Sequence, residues 1–133
     1  VFISYGTADA SHVAEWLHQG LARMGYRVWR DKNELRDGED WSERIERELT
    51  AADAVVALLS PHAVRSGGEC RNEIGIAKDR GKKIVPVMVR RSEPPLRIYE
   101  LQRVDLEGFE GLSEVKAQSQ LDRIVEAIEH GVP

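Results

Sequence analysis

Glu73 is the side chain from which the chemistry of this chain can be read. Cys70, Glu73 and Ala77 stand at i, i+3 and i+7 of a segment with helical periodicity, so they share one side of a helix. Cys70 and Ala77 are small and suited to packing. A carboxylate between them sits at the inner margin of that helix, in or beside a cleft. The ordinary alternative is a glutamate paired with a surface arginine or a backbone N–H. Ser4, Tyr5 and Gly6 close an apolar opening stretch, where a hydroxyl and backbone amides could meet phosphates. Trp29 and Trp41 stand on either side of a charged loop containing Gly38, and both read as core or margin aromatics.

Other chemistries lack their signatures. There is no GxGxxG and no Walker A sequence. The histidines, at 12, 18, 62 and 130, are scattered, and no metal site is expected. Ser60 is not in a G-x-S-x-G elbow. A phosphoacceptor receiver needs an acidic pair after the first strand and an aspartate ending the third. Here those places hold Ser4-Tyr5-Gly6 and Leu59-Ser60.

The elements that must position Glu73 are legible as an alternation. Residues 1–5 and 26–29 read as short strands. Between them Val13, Leu17, Leu21 and Met24 recur at helical spacing, with Asp9 or Ser11 as the cap and Gly25 as the stop. After the charged loop 31–40, Asp40 and Glu43 form a capping box for a helix facing inward through Ile45 and Leu49. The run 54–59 is wholly apolar, which marks a central parallel strand covered on both faces. Ser60-Pro61 and Ser66-Gly67-Gly68 punctuate the chain before a helix over about 69–80. A fourth strand follows over 83–88, where Pro86 implies a strand end or an edge. A loop over 90–100, a short edge strand within 101–105, and a helix capped by Ser119 and Asp122 complete the pattern. Leu121, Ile124, Val125 and Ile128 form its apolar face. The fold class is α/β, a flavodoxin-like three-layer fold with a five-stranded parallel sheet in the order 2-1-3-4-5. Sites in such sheets lie beyond the carboxyl ends of the strands, here residues 5–9, 31–41, 60–73 and 88–95.

Length and charge agree. The 133 residues fit one domain, 1–133, and the missing initiator methionine leads us to expect that it is cut from a longer multidomain protein. A single cysteine, Cys70, rules out a disulfide within the chain and fits a reducing, cytoplasmic setting. A net charge of -4 argues against a direct nucleic-acid partner. No apolar run approaches the ~20 residues that span a bilayer, so no membrane contact is expected in this segment. The basic cluster Lys78, Arg80, Lys82 and Lys83 reads as a solvated helix end.

With these elements in order, the chain resembles a TIR (Toll/interleukin-1 receptor) domain of bacterial type along nearly its whole length. Val1-Phe2-Ile3-Ser4-Tyr5 resembles the first TIR box, with Gly6 where a serine is usual and with Asp9 retained. Gly25-Tyr26-Arg27-Val28-Trp29 with Asp31 resembles the second strand and its aspartate. Leu35, Gly38 and Trp41 resemble the BB loop and the helix after it. Val55 to Leu59 with Ser60-Pro61, and Lys83 to Val87 with Pro86, match the third and fourth strands. Ser66, Cys70 and Glu73 resemble the stretch that carries the glutamate of TIR enzymes. One departure bears on the pocket wall. Beside that cysteine the family usually has tryptophan, and this chain has Glu69 after Gly67-Gly68.

The resemblance implies two competing functions. In the first, the domain cleaves NAD+ at the nicotinamide–ribose bond, giving nicotinamide with ADP-ribose or a cyclic ADP-ribose. NAD+ is then a substrate and no cofactor is expected. In the second, it is a non-catalytic adaptor that binds other TIR domains. For the enzyme, Glu73 is the implied catalytic residue, and Tyr5, Gly6, Thr7, Trp29, Asp31, Trp41 and Cys70 are the implied substrate contacts. Leu35, Gly38 and Asp40 belong to an implied assembly loop. The implied partners are further copies of the domain in a homo-oligomer, and a sensor or oligomerisation domain in the parent chain. The implied setting is bacterial anti-phage defence.

Overall fold

A computed structural model describes residues 1–30, 41–66 and 68–130, with the side chain of Trp41 left aside. The apolar run Ala54–Leu59 becomes β3, with all six residues buried. It pairs on one side with β1 (Phe2–Ser4) and on the other with β4 (Lys83–Met88). β2 (Trp29–Arg30) joins beyond β1, and β5 (Val104–Asp105) beyond β4. Every pairing is parallel and the order is β2-β1-β3-β4-β5, as the alternation of strand and helix patterns predicts.

Side-chain alternation divides the core in two. Ile3, Val56, Leu58, Val85 and Val87 face α1 (Ser11–Arg23) and α4 (Glu114–His130). Phe2, Val55, Ala57, Leu59 and Ile84 face α2 (Trp41–Ala51) and α3 (Glu69–Asp79). Because successive strand residues point to opposite faces, a continuously apolar strand serves both layers.

Several local expectations are corrected. The second strand is expected over 26–29, but β2 is Trp29–Arg30. The Tyr26 N–H is already used, donating to the Leu21 carbonyl while Gly25 N–H reaches Ala22. These two bonds close α1 in a Schellman motif, with Gly25 at φ +93°. Met24 belongs to that cap and is 43% exposed, so it leaves the apolar stripe. The residue before α1 is Ala10, with no side-chain cap, because Asp9 is engaged elsewhere. The closing helix begins at Glu114, and Ser113 Oγ accepts the Lys116 N–H, so Ser119 lies inside α4 rather than at its cap. Pro86 sits within an interior strand. β5 pairs with β4 only at Val87 and Met88, so one side of β4 carries no ladder partner at Pro86. Of the capping box before α2, Asp40 lies outside the described residues.

Three of the four residues of the basic cluster make structural contacts. Lys82 Nζ donates to the Thr50 carbonyl at the end of α2, and Lys83 Nζ to the Ile128 carbonyl at the end of α4. Arg80 bonds Thr50 Oγ1 and Glu46. Cations at helix carboxyl ends meet orphan carbonyls and the negative end of the dipole.

Candidate active site at the α2–α3 groove

α3 starts where the backbone leaves an extended residue, Gly68, with φ -77° and ψ 156°. A Cβ there would lie 3.1 Å from Arg65 Cγ and 3.2 Å from the Arg65 carbonyl, so glycine fits the tight approach of the preceding turn. From this start Cys70, Glu73, Ile74 and Ala77 form the buried stripe of the helix. Three of these four are apolar or nearly so. The fourth is a carboxylate only 2% exposed.

Ser4 meets that carboxylate. Its Oγ donates to Glu73 Oε1 at 2.6 Å, and Ser4 is itself 1% exposed. The spacing is that of a short O–H···O hydrogen bond. Ser4 lies opposite Ala57 on β3, and two small side chains side by side leave room for a glutamate to come down onto the sheet.

Above Glu73 an open groove of about 510 Å³ runs between α2 and α3. Ser42 and Ile45 line it from α2, and Glu69, Arg71 and Asn72 from α3. Arg71 Nη1 donates to the Val64 carbonyl, which ties the head of α3 to the turn after β3. Further along, Arg97 braces α3 from the 3₁₀ turn Leu96–Ile98. It donates to the Gly75 carbonyl at 3.2 Å and to Asp79 Oδ1 at 2.6 Å. That hydrogen bond, and then the charge of the guanidinium, hold the exposed Asp79 carboxyl below its usual range.

The carboxyl ends of β1 and β3 are clamped together by side-chain hydrogen bonds. Asp9 Oδ1 accepts from Ser60 Oγ at 2.7 Å, and Oδ2 accepts from the His62 N–H at 3.0 Å. Ser60 Oγ in turn accepts the Ala63 N–H at 3.2 Å, and Arg90 Nε donates to the Asp9 carbonyl. The two loops approach so closely that a Cβ on Gly6 would lie 2.9 Å from the Ala63 backbone nitrogen. Glycine fits here because the loop after β3 occupies the space that a side chain would need.

Of the residues singled out in the sequence, Glu73 and Cys70 come together on the buried stripe of α3, with Glu73 at the groove. Gly6 and Thr7 lie in the loop after β1, where the Thr7 carbonyl accepts from Ser11 Oγ. Tyr5 is buried, and its ring packs with the α1–α4 layer, on the opposite face of the sheet from Glu73. Trp29 is buried in the α2–α3 layer, its ring stacked on Phe2 at 5.0 Å with Arg44 over its face at 6.0 Å. Asp31, Leu35, Gly38 and Asp40 lie outside the described residues, as does the side chain of Trp41, the first residue of α2. The sequence reads the Ser4 hydroxyl as a candidate phosphate contact, not as the partner of Glu73. The period of two would have found it, since Phe2 and Ser4 must share one face and Ile3 and Tyr5 the other.

Among the described residues, no helix is long and apolar enough to cross a membrane. The sequence-family profile described as "TIR domain" matches residues 1–124. A curated relative from Bacteroides thetaiotaomicron, named 2′ cyclic ADP-D-ribose synthase BtTIR, is 30% identical over 64 residues. That match spans 48% of this chain and 22% of the relative. Among solved structures, the TIR domain of the Toll-related receptor TRR-2 from Hydra magnipapillata aligns with a TM-score of 0.77 at 17% identity, over 97% of each chain. The TIR domains of the activated Roq1 resistosome, which recognises the pathogen effector XopQ, align at 0.72 and 16% identity, over 96% of this chain and 97% of that one. A metazoan TIR-STING receptor from C. gigas aligns at 0.70 and 18%, over 96% of this chain and 39% of that one. Strand order, helix layers and the match over residues 1–124 lead to one assignment: the chain belongs to the TIR-domain family.

Proposed function

We propose that this domain cleaves NAD+ at the nicotinamide–ribose bond, with Glu73 as the catalytic carboxylate. The observation that carries this reading is a glutamate held 2% exposed beneath a groove of about 510 Å³. Charge is seldom buried without a partner or a task, and functional sites are where that cost is accepted. The similarity to a bacterial TIR protein named as a cyclic ADP-ribose synthase supports the choice of substrate.

The chemistry needs one anion and no general acid. Nicotinamide leaves C1′ as a neutral base, because the C–N electron pair returns to a positively charged pyridinium nitrogen. Positive charge then develops on the ribose as an oxocarbenium-like species. A preorganised carboxylate stabilises that charge and hydrogen-bonds the ribose hydroxyls. Water attacks C1′ and loses a proton to give ADP-ribose, or an internal nucleophile of the adenosine half, such as its ribose 2′-hydroxyl, attacks and loses its proton to give a cyclic product. Backbone groups of Tyr5, Gly6 and Thr7 at the end of β1, and Cys70 one turn before Glu73, are the proposed neighbours of ribose and phosphates. Trp29, stacked on Phe2, is proposed to support the floor of the site rather than to touch substrate.

Oligomerisation is the proposed trigger. Although the groove is open, the Glu73 carboxylate beneath it is 2% exposed, so substrate reaches it only once the side chains over it shift, and association with further copies is the proposed cause of that shift. The similarity to TIR domains solved within an activated resistosome supports this. In the parent protein a sensor domain would bring copies together, and the consequence would be NAD+ loss during bacterial defence in the cytoplasm.

The test is chromatography of products after NAD+ is incubated with the domain fused to a forced oligomer. Nicotinamide release is expected from wild type. Glu73→Gln keeps shape and deletes charge, and is expected to lower the rate by about a hundredfold to a thousandfold. Retention of more than about a third of the rate would falsify the role of Glu73, and Glu69 becomes the next carboxylate to test. If no wild-type assembly releases nicotinamide, the adaptor function takes the place of catalysis.

A further inference from the structure

We infer that Ser4 is the positioning residue of this site: through its hydroxyl it sets the rotamer and the charge distribution of the Glu73 carboxylate. The inference rests on the reading of Glu73 given above.

A glutamate has three side-chain torsions, and rotamer freedom costs free energy when a long side chain must be held in one place. An isolated glutamate on α3 would distribute its carboxylate over several positions along the groove. The bond from Ser4 Oγ to Oε1 at 2.6 Å selects one of them. The donor is rigid. Ser4 has a single side-chain torsion before its hydroxyl, is 1% exposed, and sits on β1, which is paired on both sides, to β2 and to β3. The hydroxyl also commits Oε1 to the protein. Reactive geometries tolerate errors of only about half an ångström, so a fixed carboxylate favours turnover more than binding.

Among the described strand residues beside it, Ser4 is the one that offers the carboxylate a side-chain hydroxyl. On the face toward α3 the neighbours of Ser4 in the pleat are Phe2 on its own strand and Ala57 opposite, and neither carries a hydrogen-bond donor in its side chain. Tyr5, the next hydroxyl in sequence, packs on the other face.

The experiment compares wild type, Ser4→Ala, Ser4→Thr, Ser4→Cys and Glu73→Gln, each fused to the same forced oligomer, with NAD+ as the probe. Ser4→Ala is expected to lower kcat by about tenfold to a hundredfold, the usual worth of a hydrogen bond to a charged group, with KM changed by less than about threefold. Ser4→Thr, which restores a hydroxyl, should recover most of kcat. Ser4→Cys, nearly the same size but a poor donor, should stay close to Ser4→Ala. If Ser4→Ala fails to fold in a thermal melt, the Thr and Cys pair decides the question by itself. Equal kcat for the Thr and Cys variants, or an effect confined to KM, overturns the positioning role while leaving Glu73 as the catalytic group. Silence of the wild type together with every variant overturns the reading of the site and this role with it. A second readout is independent of turnover. The wild-type domain should show a slowly exchanging hydroxyl proton correlated with the Ser4 Cβ by NMR, and Glu73→Gln should shift it. Absence of that proton in wild type removes the bond on which the role depends.

Discussion

At the scale of single residues, two positions show how a local requirement excludes ordinary substitution. Glu73 places a carboxylate on the buried stripe of α3, where burial of charge opposes stability unless hydrogen bonds offset it. Glu73→Gln retains an acceptor for Ser4 and removes the charge. Its urea midpoint is therefore expected to equal or exceed that of wild type while activity falls, the usual opposition between function and stability. A clearly lower midpoint would mean that the charge itself holds the fold. Gly6 is constrained from the other direction. Its added Cβ would stand 2.9 Å from the Ala63 backbone nitrogen, and backbone does not yield cheaply. Gly6→Ser is expected to destabilise the domain by about 1–3 kcal/mol, as overpacking does, although serine is what the family resemblance leads one to expect there. Equilibrium unfolding of that variant checks it, and an unchanged midpoint would show that the loop after β3 moves freely.

At the scale of elements, helix ends carry much of the tertiary hydrogen bonding. Lys82 and Lys83 cap the carboxyl ends of α2 and α4, and Arg97 bridges the 3₁₀ turn Leu96–Ile98 to α3. The Arg97–Asp79 pair has a definite pH signature. Arg97 lowers the folded-state pKa of Asp79, first by its hydrogen bond and then by its charge. A group depressed in this way contributes stability that is fully present above its unfolded value and is lost as pH falls through its folded value. Urea midpoints of wild type and Arg97→Ala are therefore expected to differ at neutral pH and to converge on acidification below about pH 4. Because Asp79 is exposed the difference is small, and a gap that persists at the lowest pH would assign it to the Gly75 carbonyl contact instead.

At the scale of the whole molecule, the sheet separates two tasks. The α1–α4 face is an apolar layer that closes the core, while the α2–α3 face carries Glu73, Ser4 and the groove. A site spread over two helices and one strand is sensitive to how those elements are pressed together. The proposed dependence on assembly follows from this. Turnover per chain is expected to rise steeply from dilute domain to forced oligomer, with nicotinamide release as the measurement. Equal turnover per chain across that range would separate catalysis from assembly.

The sequence by itself determined the class of fold and the place of the central strand. The run Ala54–Leu59 has no polar residue to face water, so it can lie only where both faces are covered, and parallel pairing follows from the helices between strands. It also located Glu73 on an inner helical face, because a period of 3.6 groups Cys70, Glu73 and Ala77 whatever surrounds them. Element ends were legible only where their chemistry is local. Gly25 announces its own turn, whereas the start of α4 depends on Ser113 winning over Ser119, which has the better capping pattern in the sequence. The tertiary structure alone decided the partners. Ser4 and Glu73 are 69 residues apart, and Asp9 and Ser60 are 51 apart. No periodicity along a chain reports which strand a helix will settle on. That choice is made by the parallel order of β2-β1-β3-β4-β5, which lays the end of β1 under α3 and gives a buried carboxylate its donor.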